Sequence, residues 1–184
     1  MIPRLKKIYL EEILPNVIKS LAITNKMQAP KIEKIVLNMG LGLDASDSKI
    51  LKIIKEDLGN LTGQLPIITK SKKAVANFKT RKDIPLGLKV TLRKNNMYYF
   101  LDRLINMALP RIKDFRGLNP DSFDKEANYS FGIKEHVIFP EVSFDKIEKL
   151  RGLDITVVTS ASNKESAKAL LTSFGFPFYK KGSN

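Results

Sequence analysis

The chain has no cysteine, so it can form no disulfide and no thiolate metal site. That fits a reducing compartment. It has a single histidine, His136, which cannot make a histidine-rich metal site. No apolar run approaches the roughly 20 residues that span a bilayer, so no membrane partner is expected. Neither the nucleophile elbow G-x-S-x-G nor the phosphate loop G-x-x-x-x-G-K-[ST] occurs. The acids Glu11, Glu12, Asp44, Asp47, Glu56 and Asp57 read as surface and helix-start charges, with no pair set apart for acid–base work. A Ser-His-Asp relay is arithmetically possible through His136, but nothing supports it. No cofactor, no metal and no catalysis are expected. Internal repeats and low-complexity segments are also absent.

Acids are few relative to bases. The chain carries 19 Asp+Glu against 32 Lys+Arg, a formal charge of +13, and such a field attracts polyanions from a distance. Its 184 residues suggest one domain, 1–184, long enough for a sizeable core. Hydrophobic content of 43% beside 28% charged residues argues against global disorder. The start, Met1-Ile2-Pro3-Arg4-Leu5-Lys6-Lys7, leads into Glu11-Glu12. A signal peptide would continue into an apolar stretch, and a transit peptide would avoid acids. The mature protein is expected to begin here, in the cytosol or in an organelle that encodes it. The Lys, Ile and Asn bias hints only at an AT-rich genome.

Periodicity supplies the elements. Leu5, Tyr9, Ile13, Val17 and Leu21 recur every four residues, a helical stripe within an N-terminal helical segment, 1–24. Pro15 lies inside it and should kink or restart the helix. Residues 34–39 read as a strand. Ile50, Leu51, Ile54, Leu58 and Leu61 form a second helix, with Ser46 as a cap and Gly63 as its end. Two short strands, 66–69 and 87–92, follow. A third helix runs from Met97 to Ala108, capped by Asn95 or Asn96 and stopped by Pro110. Residues 128–133 and 153–159 are strands, and Ser162-Asn163-Lys164-Glu165 is a capping box that opens a helix to Phe174. Two consecutive central strands favour an α+β fold: a mainly antiparallel sheet with helices packed on one face. The other face would be open, a known kind of platform for RNA.

The strongest chemical signal lies between Gln64 and Lys94. Nine bases stand there (Lys70, Lys72, Lys73, Lys79, Arg81, Lys82, Lys89, Arg93, Lys94) against one acid, Asp83. They cluster in and beside a long basic loop, 71–85, between the two central strands. A basic loop held by rigid strands suits a surface that grips phosphate in a salt-sensitive way. An ordinary solvated lysine-rich loop would show the same composition.

One enzyme motif needs weighing. Gly40-Leu41-Gly42-Leu43-Asp44-Ala45 fits the relaxed dinucleotide fingerprint G-x-G-x-x-A, after a strand and before a helix. No acid follows at the ribose position, and the later elements break the parallel rhythm that such a fold needs. A tight turn needing glycine backbone freedom is the simpler reading.

The ordered blocks of sequence resemble a known family. Residues 34–40, 61–66 and 69–76 (Thr69-Lys70-Ser71-Lys72-Lys73-Ala74-Val75-Ala76) resemble bacterial-type large-subunit ribosomal protein uL5, also called L5. The likeness continues through 85–93 and Leu109-Pro110-Arg111-Ile112-Lys113-Asp114-Phe115-Arg116-Gly117-Leu118, the most specific run. Residues 128–133, 138–141 and 151–156 complete it. It implies the ribosomal protein L5 fold and a structural place in the central protuberance of the large ribosomal subunit. The implied partners are 5S rRNA, 23S-type rRNA, neighbouring 5S-binding ribosomal proteins, peptidyl-site tRNA and small-subunit protein uS13. Carried onto this chain, the 5S rRNA surface would include Asn38, Gln64, Thr69, Lys70, Thr91 and Arg93. The tRNA loop would be Lys72, Lys73, Phe78, Lys79, Arg81 and Lys82. Phe78 would either stack on RNA or anchor the loop to its own base. The bridge between subunits would use Arg111, Lys113, Phe115 and His136, although Phe115 and Phe139 could equally fill the domain's own core. The chain departs from the family's usual glycine at Asp83, Lys94 and Ala127. Two other readings remain: a free-standing RNA-binding regulator or chaperone, and a dinucleotide-binding enzyme.

Overall fold

A computed structural model describes residues 2–142 and 149–179. Its helices are α1 (Arg4–Ile8), α2 (Leu14–Ser20), α3 (Ser48–Thr62), α4 (Lys94–Arg103) and α5 (Lys164–Ser173). Its strands are β1 (Ile32–Gly40), β2 (Ile67–Lys70), β3 (Pro85–Leu92), β4 (Tyr129–Ile133) and β5 (Leu153–Thr159). The strands form one sheet in the order β2-β3-β1-β5-β4. β2 and β3 pair antiparallel, with Ile68 opposite Leu88 and Thr69 opposite Gly87. The fold is α+β with a five-stranded antiparallel sheet, as the element order predicts. Contacts divide the chain into two compact units. Unit 1 holds the chain up to Ile35, Arg93–Phe131 and the residues from Thr156 on; unit 2 holds Val36–Leu92 and Gly132–Ile155.

In unit 2 the strands alternate. Leu37, Met39, Leu88, Val90, Leu92, Leu153 and Ile155 are buried, while Asn38 and Thr91 are half-buried and Lys89 and Asp154 exposed. Period-two alternation of this kind puts one apolar side into the core and one polar side outward. Burying each of these aliphatic side chains contributes roughly 1.5–3 kcal/mol. α3 lies against β3 and adds Ile54, Leu58 and Leu61 to that core. Its cap is Asp47, not Ser46: the Asp47 carboxylate accepts from the Lys49 N–H at 2.8 Å. Gly63 ends the helix at φ +67, a left-handed geometry that suits glycine.

In unit 1 the N-terminal stripe buries Leu5, Tyr9, Ile13 and Val17, and Leu21 stays half-buried. The break expected at Pro15 takes a specific form. A wide π turn, Tyr9–Ile13, precedes α2, whose first turn accepts the proline. Proline has no N–H to give the previous turn, so a register change upstream costs little. α1 packs on α4, with Arg4 Nη2 2.6 Å from Asp102 Oδ1. Tyr9 stacks on Phe174 at 5.6 Å, and its hydroxyl donates to the Pro30 carbonyl. Phe123, Tyr129, Phe176 and Phe178 form an aromatic cluster around the chain's loop-rich stretch.

Three end signals in unit 1 differ from their sequence reading. Arg93, not Asn95 or Asn96, holds the cap position of α4, and no side chain caps it. Asn95 instead accepts from Lys6 Nζ at 3.3 Å. Pro110 does not stop the helix. The chain passes through a π turn, Leu104–Ala108, into a 3-10 turn, Leu109–Arg111, where proline fits the first positions. The capping box at 162–165 does not close, because Asn163 takes the cap position without a side-chain bond. The three departures from glycine share one geometry. Asp83, Lys94 and Ala127 sit at φ +66, +53 and +61, the left-handed region that glycine enters most easily.

Candidate nucleic-acid interface

On unit 2, the polar side of the strands and the long loop lie in one compact body. Asn38, Thr69 and Thr91 are half-buried side chains on β1, β2 and β3, and Lys70 and Lys89 are exposed. Gly87 is the close-packed point of this side. A Cβ there would stand 2.6 Å from the Met39 carbonyl and 3.2 Å from Thr69 Oγ1. Gln64 is exposed, but it lies on the turn after α3, not on a strand; its N–H and carbonyl are both bound by the Thr62 hydroxyl. The exposed apolar residues Leu65 and Ile67 flank this edge, 71% and 72% accessible. Arg93 falls in unit 1, at the start of α4, and is exposed.

Two groups on this side escaped the sequence reading. Asp154, on β5, lies 3.4 Å from Asn38, whose Nδ2 donates to Oδ2. Alternation with the buried Leu153 and Ile155 carried that signal, but an acid is not an expected member of an RNA surface. Leu43, 54% accessible in the turn after β1, is the other.

The loop 71–85 is not a featureless arc. Ser71 is buried, and its hydroxyl donates to the Arg81 carbonyl. Val75 and Thr80 exchange both backbone bonds at 3.1 and 3.2 Å, closing a small hairpin around a 3-10 turn, Ala76–Phe78. Asp83 N–H donates to the Ser71 carbonyl. The backbone is therefore pinned at its base, and Lys72, Lys73, Lys79, Arg81 and Lys82 project into solvent. Phe78 is 71% accessible, so it does not anchor the loop in a core. A groove of about 890 Å³ runs beside it, lined by Leu43, Val75, Phe78, Leu86 and the lysines 72, 73 and 79.

The turn carrying the dinucleotide-like glycines lies under this loop. Gly42 has φ +59 and opens a 3-10 turn, Gly42–Ser46, so the glycine serves the backbone. Asp44 Oδ2 takes bonds from Lys149 Nζ at 3.1 Å and from Arg151 Nη1 at 2.9 Å. Those bonds, Lys149 first, hold the Asp44 carboxyl below the usual carboxylate range. The glycine pattern is thus accounted for by the turn, the simpler of the two sequence readings.

The bridge residues separate. Arg111 and Lys113 are exposed and Phe115 is half-buried in unit 1. His136 lies in unit 2 and is 5% accessible, with Nδ1 3.1 Å from the Arg151 carbonyl and 3.3 Å from its N–H. Burial takes His136 out of any surface role. Phe139, at 1%, is core. Among the described residues no cluster of ligating side chains could hold a metal, and no helix is long and apolar enough to cross a membrane.

Residues 25–81 match the family model for ribosomal protein L5, and residues 85–178 match that for the ribosomal L5P family C-terminus. The chain belongs to the ribosomal protein L5 family. Large ribosomal subunit protein uL5 of Pelagibacter ubique is 64% identical over the full length of both chains. The uL5 proteins of Dichelobacter nodosus and Clostridium botulinum are each 53% identical, over 95% and 97% of this chain and 98% and 99% of their own. The L5 family is structural and non-enzymatic, in keeping with the missing catalytic constellation.

Proposed function

We propose that this chain works in the large ribosomal subunit by binding 5S rRNA with the polar side of unit 2 and peptidyl-site tRNA with the basic loop 71–85. Family membership carries the coarser part, a structural constituent of that subunit with a place in translation. The finer part rests on one observation. The same compact unit pairs half-buried, strand-held polar groups with a pinned hairpin of exposed bases. Asn38, Gln64, Thr69 and Thr91 suit ribose hydroxyls and base edges, while Lys70 suits phosphate. Lys72, Lys73, Lys79, Arg81 and Lys82 suit a backbone track, with Phe78 free to stack on a base or sugar. The same subunit setting provides 23S-type rRNA and the other 5S-binding proteins as neighbours.

The bridge to small-subunit protein uS13 is assigned to exposed Arg111 and Lys113, with Phe115 partly accessible beside them. His136 is not part of it. Relatives from bacteria favour a cytoplasmic ribosome over an organellar one. A free-standing RNA regulator would use the same surface but would not cosediment with large subunits at high salt.

Filter binding to 5S rRNA tests the assignment. Asn38→Ala, Gln64→Ala and Thr91→Ala should each lose on the order of 1–3 kcal/mol of binding, the cost of leaving a buried partner unpaired. Wild-type affinity in all three folded variants would remove the polar side of unit 2 from the RNA interface.

A further inference from the structure

The contact between Asn38 and Asp154 fixes more than a side-chain position. A carboxylate can only accept, so the amide atom turned toward Asp154 must be the nitrogen. The Asn38 side chain has no other hydrogen bond among the described residues, and its Oδ1 is left as an outward acceptor. Asp154 is exposed and has no ion-pair partner among the described residues. Gly132 leaves its carboxylate room: a Cβ there would stand 3.3 Å from Asp154 Oδ1. An unpaired acid on a face otherwise rich in bases repels phosphate. It is suited to receive a donor.

We propose that Asp154 sets the hydrogen-bond polarity of this face. It turns the Asn38 amide so that the pair presents mostly acceptors, Oδ1 and the carboxylate oxygens, beside one remaining N–H. The pair then selects RNA groups that donate, a ribose 2′-hydroxyl or a base N–H, over phosphate oxygens. The inference rests on the reading of this face as the 5S rRNA surface, and adds the chemistry that it reads.

The test is equilibrium binding of the full chain to 5S rRNA at several salt concentrations. Asp154→Ala and Asn38→Ala should each weaken binding about tenfold. The double variant should be no more than about twofold weaker than either single, because the pair acts as one unit. Asp154→Asn keeps an oxygen for Asn38 Nδ2 and should recover part of the loss; it also covers the case of a poorly folded alanine variant. The slope of log affinity against log salt should not change, since no phosphate contact is lost. Single-position 2′-deoxy and inosine scans of the RNA separate the two donors. The substitution that costs the wild type about tenfold, and Asp154→Ala nothing, identifies the group. Tighter binding by either Asp154 variant, with a steeper salt slope, would mean that the carboxylate only repels phosphate, and would overturn the proposal. So would fully additive losses. A wild-type chain with no affinity for 5S rRNA at low salt would instead bring down the reading beneath it.

Discussion

Asn38 and Lys79 lie on the same compact unit and belong to opposite kinds of surface. Asn38 is half-buried on a strand, with its amide turned by a neighbouring carboxylate. Lys79 is exposed at a hairpin tip, at φ +50, with no ion pair among the described residues. The first arrangement restricts a side chain before any ligand arrives, so little ordering entropy remains to be lost on binding. The second leaves a long, exposed side chain on a backbone pinned by hydrogen bonds and relies on charge. A held amide discriminates between partners; a row of free cations attracts any polyanion. The difference implies two salt dependences on one molecule, shallower for contacts made by Asn38 than for those made by the loop.

The largest effect should come from removing the scaffold common to both. Gly87 sits in β3 with the Met39 carbonyl where a Cβ would need to be. Gly87→Ala should destabilise the chain by about 3 kcal/mol, because strand backbone cannot move aside as a side chain can. Denaturant unfolding gives the number. A loss under 1 kcal/mol would show that β1 and β3 adjust freely, and would weaken the argument that this face is preformed.

Next comes the separation of the two surfaces. Replacing Lys79, Arg81 and Lys82 together by Ala should leave 5S rRNA affinity nearly unchanged. It should weaken retention of peptidyl-site tRNA on assembled ribosomes and lower the salt slope of that contact by about two to three units. A triple variant that loses 5S rRNA while holding tRNA normally would assign the loop to the wrong RNA. Hydrogen exchange sharpens the point. The amides of Val75 and Thr80 are bonded and should exchange more slowly than those at the tip.

Much of this was readable in the sequence. Short apolar runs rich in β-branched residues at 34–39, 87–92 and 153–159 mark β1, β3 and β5 to within two residues. The basic loop is legible as charge. Helix ends are less legible. Asp47 displaced Ser46, and Arg93 displaced two asparagines, because a cap is decided by where the chain enters the helix, not by which polar residue is nearby. The π turns leave no compositional trace. The resemblance places His136 in the bridge, yet the fold buries it, with Nδ1 against the backbone of Arg151. Asp154 was missed because its place beside Asn38 depends on pairing across 116 residues of sequence. The division into two units, each built from separate stretches, is equally a product of tertiary contact.

A smaller effect tests the turn beneath the loop. Asp44 joins that turn to Lys149 and Arg151, and its carboxyl is held low by their hydrogen bonds. A depressed carboxyl contributes stability that is present above its unfolded value, near pH 4, and lost as pH falls through its folded value. Asp44→Asn should therefore lower the melting temperature by a constant amount from pH 8 to about pH 5. Below about pH 4 the gap to wild type should close. A gap that persists into acid would mean that Asp44 acts through packing, not charge.

The smallest effect is expected at the one acid of the loop. Asp83 has φ +66, where a side chain is strained, and its N–H is held by the Ser71 carbonyl. Asp tolerates this region better than most residues, so the strain to be relieved is small. Glycine would relieve it but would gain freedom in the unfolded chain, and the two terms oppose each other. Asp83→Gly should leave stability within about 0.5 kcal/mol of wild type. Its effect should appear in binding instead. Removing the carboxylate leaves five cations on the loop with no acid among them, which should strengthen the tRNA contact modestly at low salt and disappear at high salt. The 5S rRNA affinity should not move. If Asp83→Gly shifts 5S binding as much as tRNA binding, the loop and the strand face are not independent surfaces, and the contrast between Asn38 and Lys79 is one of degree.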